Sequence, residues 1–443
     1  MKSGLRWDFE AYQPATTVCF IRSVAISASR CRGEEMKDVL IIGGGSAGIG
    51  AAETLLTLGK SVAIVDMAPF VGGVSLELSC KGEVECTRCH VCMPRDAAHR
   101  IRSSERLEVY TLSNIGSATL GPRNISVEVR SCARFIDAEK CISCGKCIAV
   151  CPVQGALIAP PHGAIPNVPY LNRELCRNFQ NGKCDLCARI CPTEAFDFVE
   201  KEKRARVQAK AVIIATGLDP IDPSGVTHYG YGYYPNVVSS LDAERIIAEH
   251  GELRRPSDGQ RPKRIAIIQC VGSRTTKGGV EYCSKFCCKY GIRIARSITE
   301  RLPEAQVDFL YMDLRTFEPR AEALEWTTGK KNVSISQGVA GMVHGSDGGN
   351  LKVRRTVAGD ASIEESEYDL VILSVGGQPR PESKVIAAKL SLQPDSFGFI
   401  SKDDMKKGIF VAGSCKSPMD IEESFADGKA TAFAVLERLG AMR

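Results

Sequence analysis

Apolar residues fall along this chain in short β-branched runs that end at glycine, not in long uniform stretches. In DVLIIGGGSAGIGAAETLLTLGKSVAIVD, Asp38 to Asp66, a buried strand gives way to a glycine turn. Small and apolar residues at helical spacing come next, and then a second strand. AVIIATG (Ala211 to Gly217) and GIFVAGSC (Gly408 to Cys415) predict two more buried strands. A second α/β unit begins at RIAIIQCVGSR with the apolar strand Ile265 to Ile268 and closes with YDLVILSVGGQPRP, Tyr368 to Pro381. RPSDGQRPK, Arg255 to Lys263, is the Pro/Gly-rich linker before it. This order predicts one α/β domain interrupted by another, with the chain returning to the first. No apolar run approaches the roughly 18 residues that cross a bilayer. The first 35 residues show no period at all.

With 443 residues the chain has room for two or three domains, and 44% hydrophobic with 25% charged residues is ordinary for a globular protein. The net charge of +5 is scattered over the sequence, without a basic helix or run, which argues against a nucleic-acid partner. Cysteine changes the picture. There are 20, gathered in groups with C-x-x-C spacing, a pattern of metal ligation in a reducing cytoplasm and not of a disulfide framework.

The turn after the first strand satisfies G-x-G-x-x-G with Gly43, Gly45 and Gly48, and Gly44, Ser46 and Ala47 complete it. These glycines allow a tight turn, close approach of a pyrophosphate to the backbone, and helix–strand packing. Asp66, followed by Met67, ends the second strand where a carboxylate can accept from ribose hydroxyls. PFVGG, with Gly72 and Gly73, follows it. The strand closing on Ala215, Thr216 and Gly217, and the later Gly413 and Ser414, occur in the order used by FAD enzymes with two dinucleotide-binding domains. FAD, not NAD, is therefore expected at this site.

CISCGKCIAVCP holds Cys141, Cys144, Cys147 and Cys151, the C-x2-C-x2-C-x3-C-P run of bacterial ferredoxins. A second run supplies Cys176, Cys184, Cys187 and Cys191. Because the fourth cysteine of such a run serves the other cluster, one [4Fe–4S] cluster is expected on Cys141, Cys144, Cys147 and Cys191. The other is expected on Cys176, Cys184, Cys187 and Cys151; zinc is the alternative. A third group, Cys80, Cys86, Cys89 and Cys92, is open to a cluster, zinc or redox-active thiols. The fourth is Cys270, Cys283, Cys287 and Cys288, standing where a nicotinamide-binding loop would be. Spacing alone leaves it between a cluster and a catalytic dithiol. The adjacent pair Cys287–Cys288 works if a helix begins there and one thiol reaches back towards Cys270. The six histidines occur singly and without a nucleophile motif, so no catalytic residue is assigned.

Taken together, IIGGGSAGIGAA, CISCGKCIAVCP with its PPHGAIPNVPYL spacer, IQCVGSR with YCSKFCCKYGI, and GIFVAGSCKSPMDIEES resemble the A-type subunits of heterodisulfide reductase and their bacterial relatives, from Met36 to Arg443. The resemblance implies a flavoprotein disulfide reductase (thioredoxin reductase)-like α/β fold with two dinucleotide-binding-type domains and an inserted bacterial ferredoxin domain. It makes Cys270, Cys283, Cys287 and Cys288 ligands of a cluster beside the flavin, and gives Asp420, Ile421 and Ser424 of KSPMDIEES a place next to the isoalloxazine. Long family members add an N-terminal module and a C-terminal ferredoxin domain. Short relatives occur in sulfur-oxidising heterodisulfide-reductase-like complexes, quinone-interacting membrane oxidoreductases and benzoyl-CoA reductase-type complexes. The group at Cys80 to Cys92 departs from the family's usual two-cysteine segment.

The implied organisation is an FAD-binding domain in three parts (36–132, 206–258 and 382–443), a 2[4Fe–4S] ferredoxin insert (133–205) and a second nucleotide-binding-like domain (259–381). Residues 1–35 are expected to be a disordered tail or to precede the true start at Met36, since the codons for Arg-Gly-Glu-Glu resemble a ribosome-binding site. The expected function is that of a cytoplasmic FAD/[4Fe–4S] electron-transfer subunit, with other subunits of a heterodisulfide reductase-like complex and a redox protein as partners. Flavin-based bifurcation and association with a membrane complex are compatible with it. An NAD(P)H-dependent disulfide reductase using Cys283, Cys287 or Cys288 is the rival, and a non-enzymatic redox-sensing subunit is a third class.

Overall fold

The structure, a computed structural model, describes residues 35–81, 86, 88–161, 163–315, 330–359 and 362–441. All but the last residue of the expected tail lies outside them. The first lobe opens with β1 (Lys37–Ile42), α1 (Ser46–Thr57) and β2 (Val62–Val65). Then come α2 (Cys92–Ile101), β3 (Leu107–Tyr110) and the antiparallel pair β4 (Ser113–Leu120) and β5 (Ile125–Ser131). After β5 the chain leaves the sheet and forms α3 (Lys146–Val150), β6 (Leu157–Ile158), β7 (Tyr170–Leu171), α4 (Arg177–Asn181) and α5 (Leu186–Ile190). It returns as β8 (Lys203–Ile214). One half of this strand runs antiparallel to β5, from Ser131 opposite Lys203, and the other runs parallel to β1, with Ile42 opposite Ile214. Covered on both faces, Val39 to Ile42 and Val212 to Ile214 read as unbroken apolar runs.

Beyond β8 a short strand β9 (Leu218–Pro220) leads to the second lobe. That lobe contains β10 (Val237–Ser239), α6 (Ser240–His250), β11 (Arg264–Val271), α7 (Cys287–Arg301) and β12 (Gln306–Tyr311). It continues through β13 (Val333–Gly345), β14 (Leu351–Val357), β15 (Ile363–Tyr368) and β16 (Leu370–Val375). Their order in the sheet is β10-β16-β11-β12-β13-β14-β15, parallel as far as β13 and antiparallel beyond. β10 and α6 precede the Pro/Gly-rich linker yet belong here: Val238, Ala243, Ile246 and Ile247 join the core of the second lobe. The expected boundary at 258 therefore falls inside this lobe, because a strand of three residues offers too short a period to register.

β17 (Gly377–Pro379) pairs with β9, and the chain re-enters the first lobe as α8 (Pro381–Lys389), β18 (Ile409–Val411) and α9 (Ile421–Ala441). β18 lies parallel to β8, and α9 packs Phe425, Ala432 and Val435 against Ile49, Ala52 and Leu55 of α1.

Candidate functional site

A cavity of about 620 Å³ runs between the lobes. At one end it meets the turn from β1 into α1, where Gly43, Gly45, Ser46 and Ala47 line it. A side chain at Gly45 would project into open space, leaving the backbone bare towards the cavity. Gly43 adopts φ +104 against the Ala215 carbonyl, and a Cβ on Gly48 would stand 2.0 Å from the Gly43 carbonyl oxygen, so neither position tolerates a side chain. Asp66 and Met67 line the same wall. The Asp66 carboxylate accepts from the Gly44 N–H at 2.6 Å and the Ala68 N–H at 2.8 Å. Burial raises its pKa above the usual range, and those two N–H groups oppose the rise.

Gly73, Ala215, Thr216, Gly217, Ser414, Asp420, Ile421 and Ser424 complete the cavity lining among the expected residues. Gly44, Gly48, Gly72 and Gly413 do not line it. Gly72 donates to the Gly44 carbonyl at 2.8 Å and Gly413 to Asp427 at 2.7 Å, which fixes the turns beside the cavity. Asp420 and Glu423 bond reciprocally across the first turn of α9, so the positive end of a 21-residue helix faces the cavity.

The thiols of the insert line two small cavities. One small cavity is lined by Cys141, Cys144, Cys147 and Cys191, and a second by Cys151, Cys176, Cys184 and Cys187. Each thus draws three cysteines from one run and one from the other. Among the described residues, no group of three or more His, Cys, Asp or Glu side chains converges as on a single metal ion. Burial pushes the Cys187 thiol up to about 12, so in the absence of metal it stays protonated at neutral pH. Val71, beside the glycine turn, pairs with Ile165 of the spacer, and buried Arg134 donates to the Pro69 carbonyl and to Thr111. Burial lowers the pKa of Arg134 to about 10. These contacts hold the insert against the flavin-type turn.

Cys270, Cys283, Cys287 and Cys288 surround a further cavity. β11 shifts register between Ile268 and Val271, turning Cys270 out at φ +62, and α7 starts at Cys287. A helix start is what lets neighbouring residues supply two thiols to one cavity. The Cys287 thiol donates to the Val375 carbonyl, and Val375 and Phe286 line the lobe-spanning cavity, so the two spaces share a wall. Burial pushes Cys270 up to about 11. In the remaining group Cys89 reaches the large cavity and interacts with Cys92 at the start of α2. Cys80 and Cys86 are exposed, and residues 82–85 and 87 between them and Arg88 lie outside the described set.

Several residues at this site had no signal in the sequence. Lys81 lines the large cavity while only 2% exposed, and it pairs with Glu244 of α6, which is 0% exposed. Glu244 also accepts from the Ser79 N–H and hydroxyl at 3.0 and 2.6 Å. Lys289, Tyr290 and Arg293 of α7 stand on the same wall. Lys289 meets Asp420 at 3.1 Å, and Arg293 and Arg301 donate to the carbonyls of Arg88 and Cys80. The loop with the third cysteine group is thereby fastened to α6 and α7. Only the one-turn spacing of Lys289 and Arg293, read as a helix face, could have pointed to that wall.

Residues 37–428 match the family model described as pyridine nucleotide-disulphide oxidoreductase. The chain is similar to an iron-sulfur A-type subunit of CoB–CoM heterodisulfide reductase from Methanopyrus kandleri, with 34% identity over 91% of this chain and 64% of that protein. The A-type subunit of the ferredoxin/F420H2-dependent CoB–CoM heterodisulfide reductase of Methanosarcina acetivorans is 31% identical over 95% of the chain and 55% of its own length. The chain thus spans less than two thirds of these relatives. Among solved structures, T. acidophilum thioredoxin reductase superposes with a TM-score of 0.51 at 15% identity, covering 92% of this chain and 99% of that one. The fold is that of thioredoxin reductase-like flavoproteins.

Proposed function

Because the chain belongs to the pyridine nucleotide-disulphide oxidoreductase family and is akin to heterodisulfide reductase A-type subunits over about nine tenths of its length, we propose that it is the FAD- and [4Fe–4S]-binding electron-transfer subunit of a cytoplasmic heterodisulfide reductase-like complex. One observation carries this: a dinucleotide-sized cavity has Cys89 on its wall and shares another wall with the thiol cavity at Cys270 to Cys288. When bound, FAD takes up electrons in pairs and releases them singly, and each cluster carries one.

The protein's own groups do the rest. The bare turn at Gly43 to Ala47 and the start of α1 fit a pyrophosphate, and Asp66 fits a ribose. Ser414, Asp420 and Ile421, at the start of α9, fit the ring end. Cys141, Cys144, Cys147 and Cys191 would hold one cluster, Cys151, Cys176, Cys184 and Cys187 another, and Cys270, Cys283, Cys287 and Cys288 a third. Cys80, Cys86, Cys89 and Cys92 are proposed for a fourth. The thiols at 270 to 288 occupy the place of a nicotinamide loop, which favours electron exchange through clusters over hydride transfer from bound NAD(P)H. Partner subunits and a redox protein would supply and remove electrons, and thiols at the large cavity (Cys89) and behind its wall at Val375 (Cys287) are compatible with a bifurcated route.

Iron, acid-labile sulfide and FAD per chain in anaerobically purified protein test the proposal. About sixteen irons per flavin are expected. About eight, with titratable thiols left at 270 to 288, would favour the dithiol rival.

A further inference from the structure

The cavity at Cys270 differs in charge from the two ferredoxin-type cavities. Arg274, Lys285 and Arg315 line it, with Asp313 as the acid among them. Each ferredoxin-type cavity has one lining cation among the described residues, Lys146 in one and Arg177 in the other. Arg274 lines this cavity together with Cys270, and its positive charge opposes the rise that burial gives the Cys270 thiol. Asp313 pairs with the Arg274 guanidinium and also binds Arg315 at 3.0 Å. Backbone N–H to sulfur contacts do not favour the Cys270 cavity, which has Lys285 N–H to Cys283 at 3.4 Å, whereas the Cys141 cavity has two, Ser143 N–H to Cys141 and Ala195 N–H to Cys191, both at 3.4 Å. The side-chain cation does.

The loop is built at some cost to hold this arrangement. Cys270, Arg274 and Lys285, none of them glycine, sit at φ +62, +59 and +65. Ser273 and Ser284 lock the two segments together through buried hydroxyls 2.6 Å apart. A guanidinium stays charged throughout the useful pH range and is less tightly hydrated than an ammonium, so it keeps its positive charge when half-buried beside sulfur. Hydrogen bonds to ligand sulfur and nearby positive charge both stabilise the extra electron of a reduced cluster.

We propose that Arg274 is a positioning residue that raises the reduction potential of the cluster on Cys270, Cys283, Cys287 and Cys288 above those of the two ferredoxin-type clusters. An electron released at the lobe-spanning cavity then comes to rest on this cluster before either ferredoxin-type cluster. The inference rests on the functional proposal above, which assigns a cluster to these four thiols.

The test is an EPR-monitored redox titration of the holoprotein, wild type beside Arg274→Gln and Asp313→Asn, after iron has been counted in each. In the wild type the highest midpoint should belong to a signal that neither ferredoxin run accounts for. Arg274→Gln should move that midpoint to more negative potential, and Asp313→Asn, which removes the neutralising acid, should move it the other way. The ferredoxin-type signals should stay in place in both. If Arg274→Gln loses its cluster, Asp313→Asn decides alone. An intact iron count with an unmoved midpoint in Asp313→Asn, or all signals shifting together, overturns the role of Arg274 and leaves the functional proposal standing. A wild-type count near eight irons overturns the functional proposal itself, and this inference with it.

Discussion

Lys81 and Glu244 show how much a single pair can do here. Both are withdrawn from water, and the pair ties the loop of the third cysteine group to α6 across the lobe junction. Replacing Lys81 by Met leaves a carboxylate buried without its cation, which should cost about 3–5 kcal/mol. The double change Lys81→Met with Glu244→Gln should recover much of that, and urea denaturation of both variants checks it. Gly48 poses the opposite problem, having no room rather than too little solvent. Gly48→Ala drives a methyl into the Gly43 carbonyl, so a loss of about 1–3 kcal/mol and a markedly lower FAD content are expected, measured by thermal unfolding and by flavin absorbance. The glycine fingerprint was legible because at Gly43 and Gly48 the backbone leaves no room for any other residue type. Lys81 was not, since a lone lysine in a polar loop carries neither period nor motif, and its partner lies 163 positions further along.

At the level of elements, most of what positions chemistry is a strand end or a helix start. The β1–α1 turn, the end of β8, the start of α7 and the start of α9 converge on one cavity or its wall; the first two were visible as changes from apolar run to glycine, the third through its cysteine pair, and the last only through the family resemblance. The crossed arrangement of thiols around the two cavities of the insert has a geometric reason. In each run a short helix, α3 or α5, ends immediately before the last cysteine and carries that thiol away from its own run. Cys191→Ser should therefore damage the cluster on Cys141, Cys144 and Cys147, while that on Cys176, Cys184 and Cys187 persists. Iron analysis should fall by up to about four per chain, and EPR should show which cluster was lost. What stayed hidden was short or bridging, namely β10 and the contacts of α7 with the loop at 80–92. Such features depend on a partner surface that sequence spacing does not describe.

For the whole molecule, the arrangement predicts how the flavin will be reduced. Anaerobic holoprotein mixed with NADH or NADPH alone should keep its oxidised flavin spectrum. Rapid bleaching would sink the cluster route and restore the dithiol reductase. Among the described residues no helix is long and apolar enough to cross a membrane. The two lobes and the insert were legible from the order of motifs, whereas the staples between them were not, because those join residues remote in sequence. The departure of the insert from the sheet has a consequence of its own. β5 ends at Ser131 directly opposite the first residue of β8, Lys203, and Glu200 closes the stem by accepting from the N–H groups of Arg134 and Phe135. To the first lobe, therefore, the insert is topologically the loop of a β-hairpin. Its two ends meet at neighbouring strand ends, so the whole segment leaves and rejoins the host sheet at a single point.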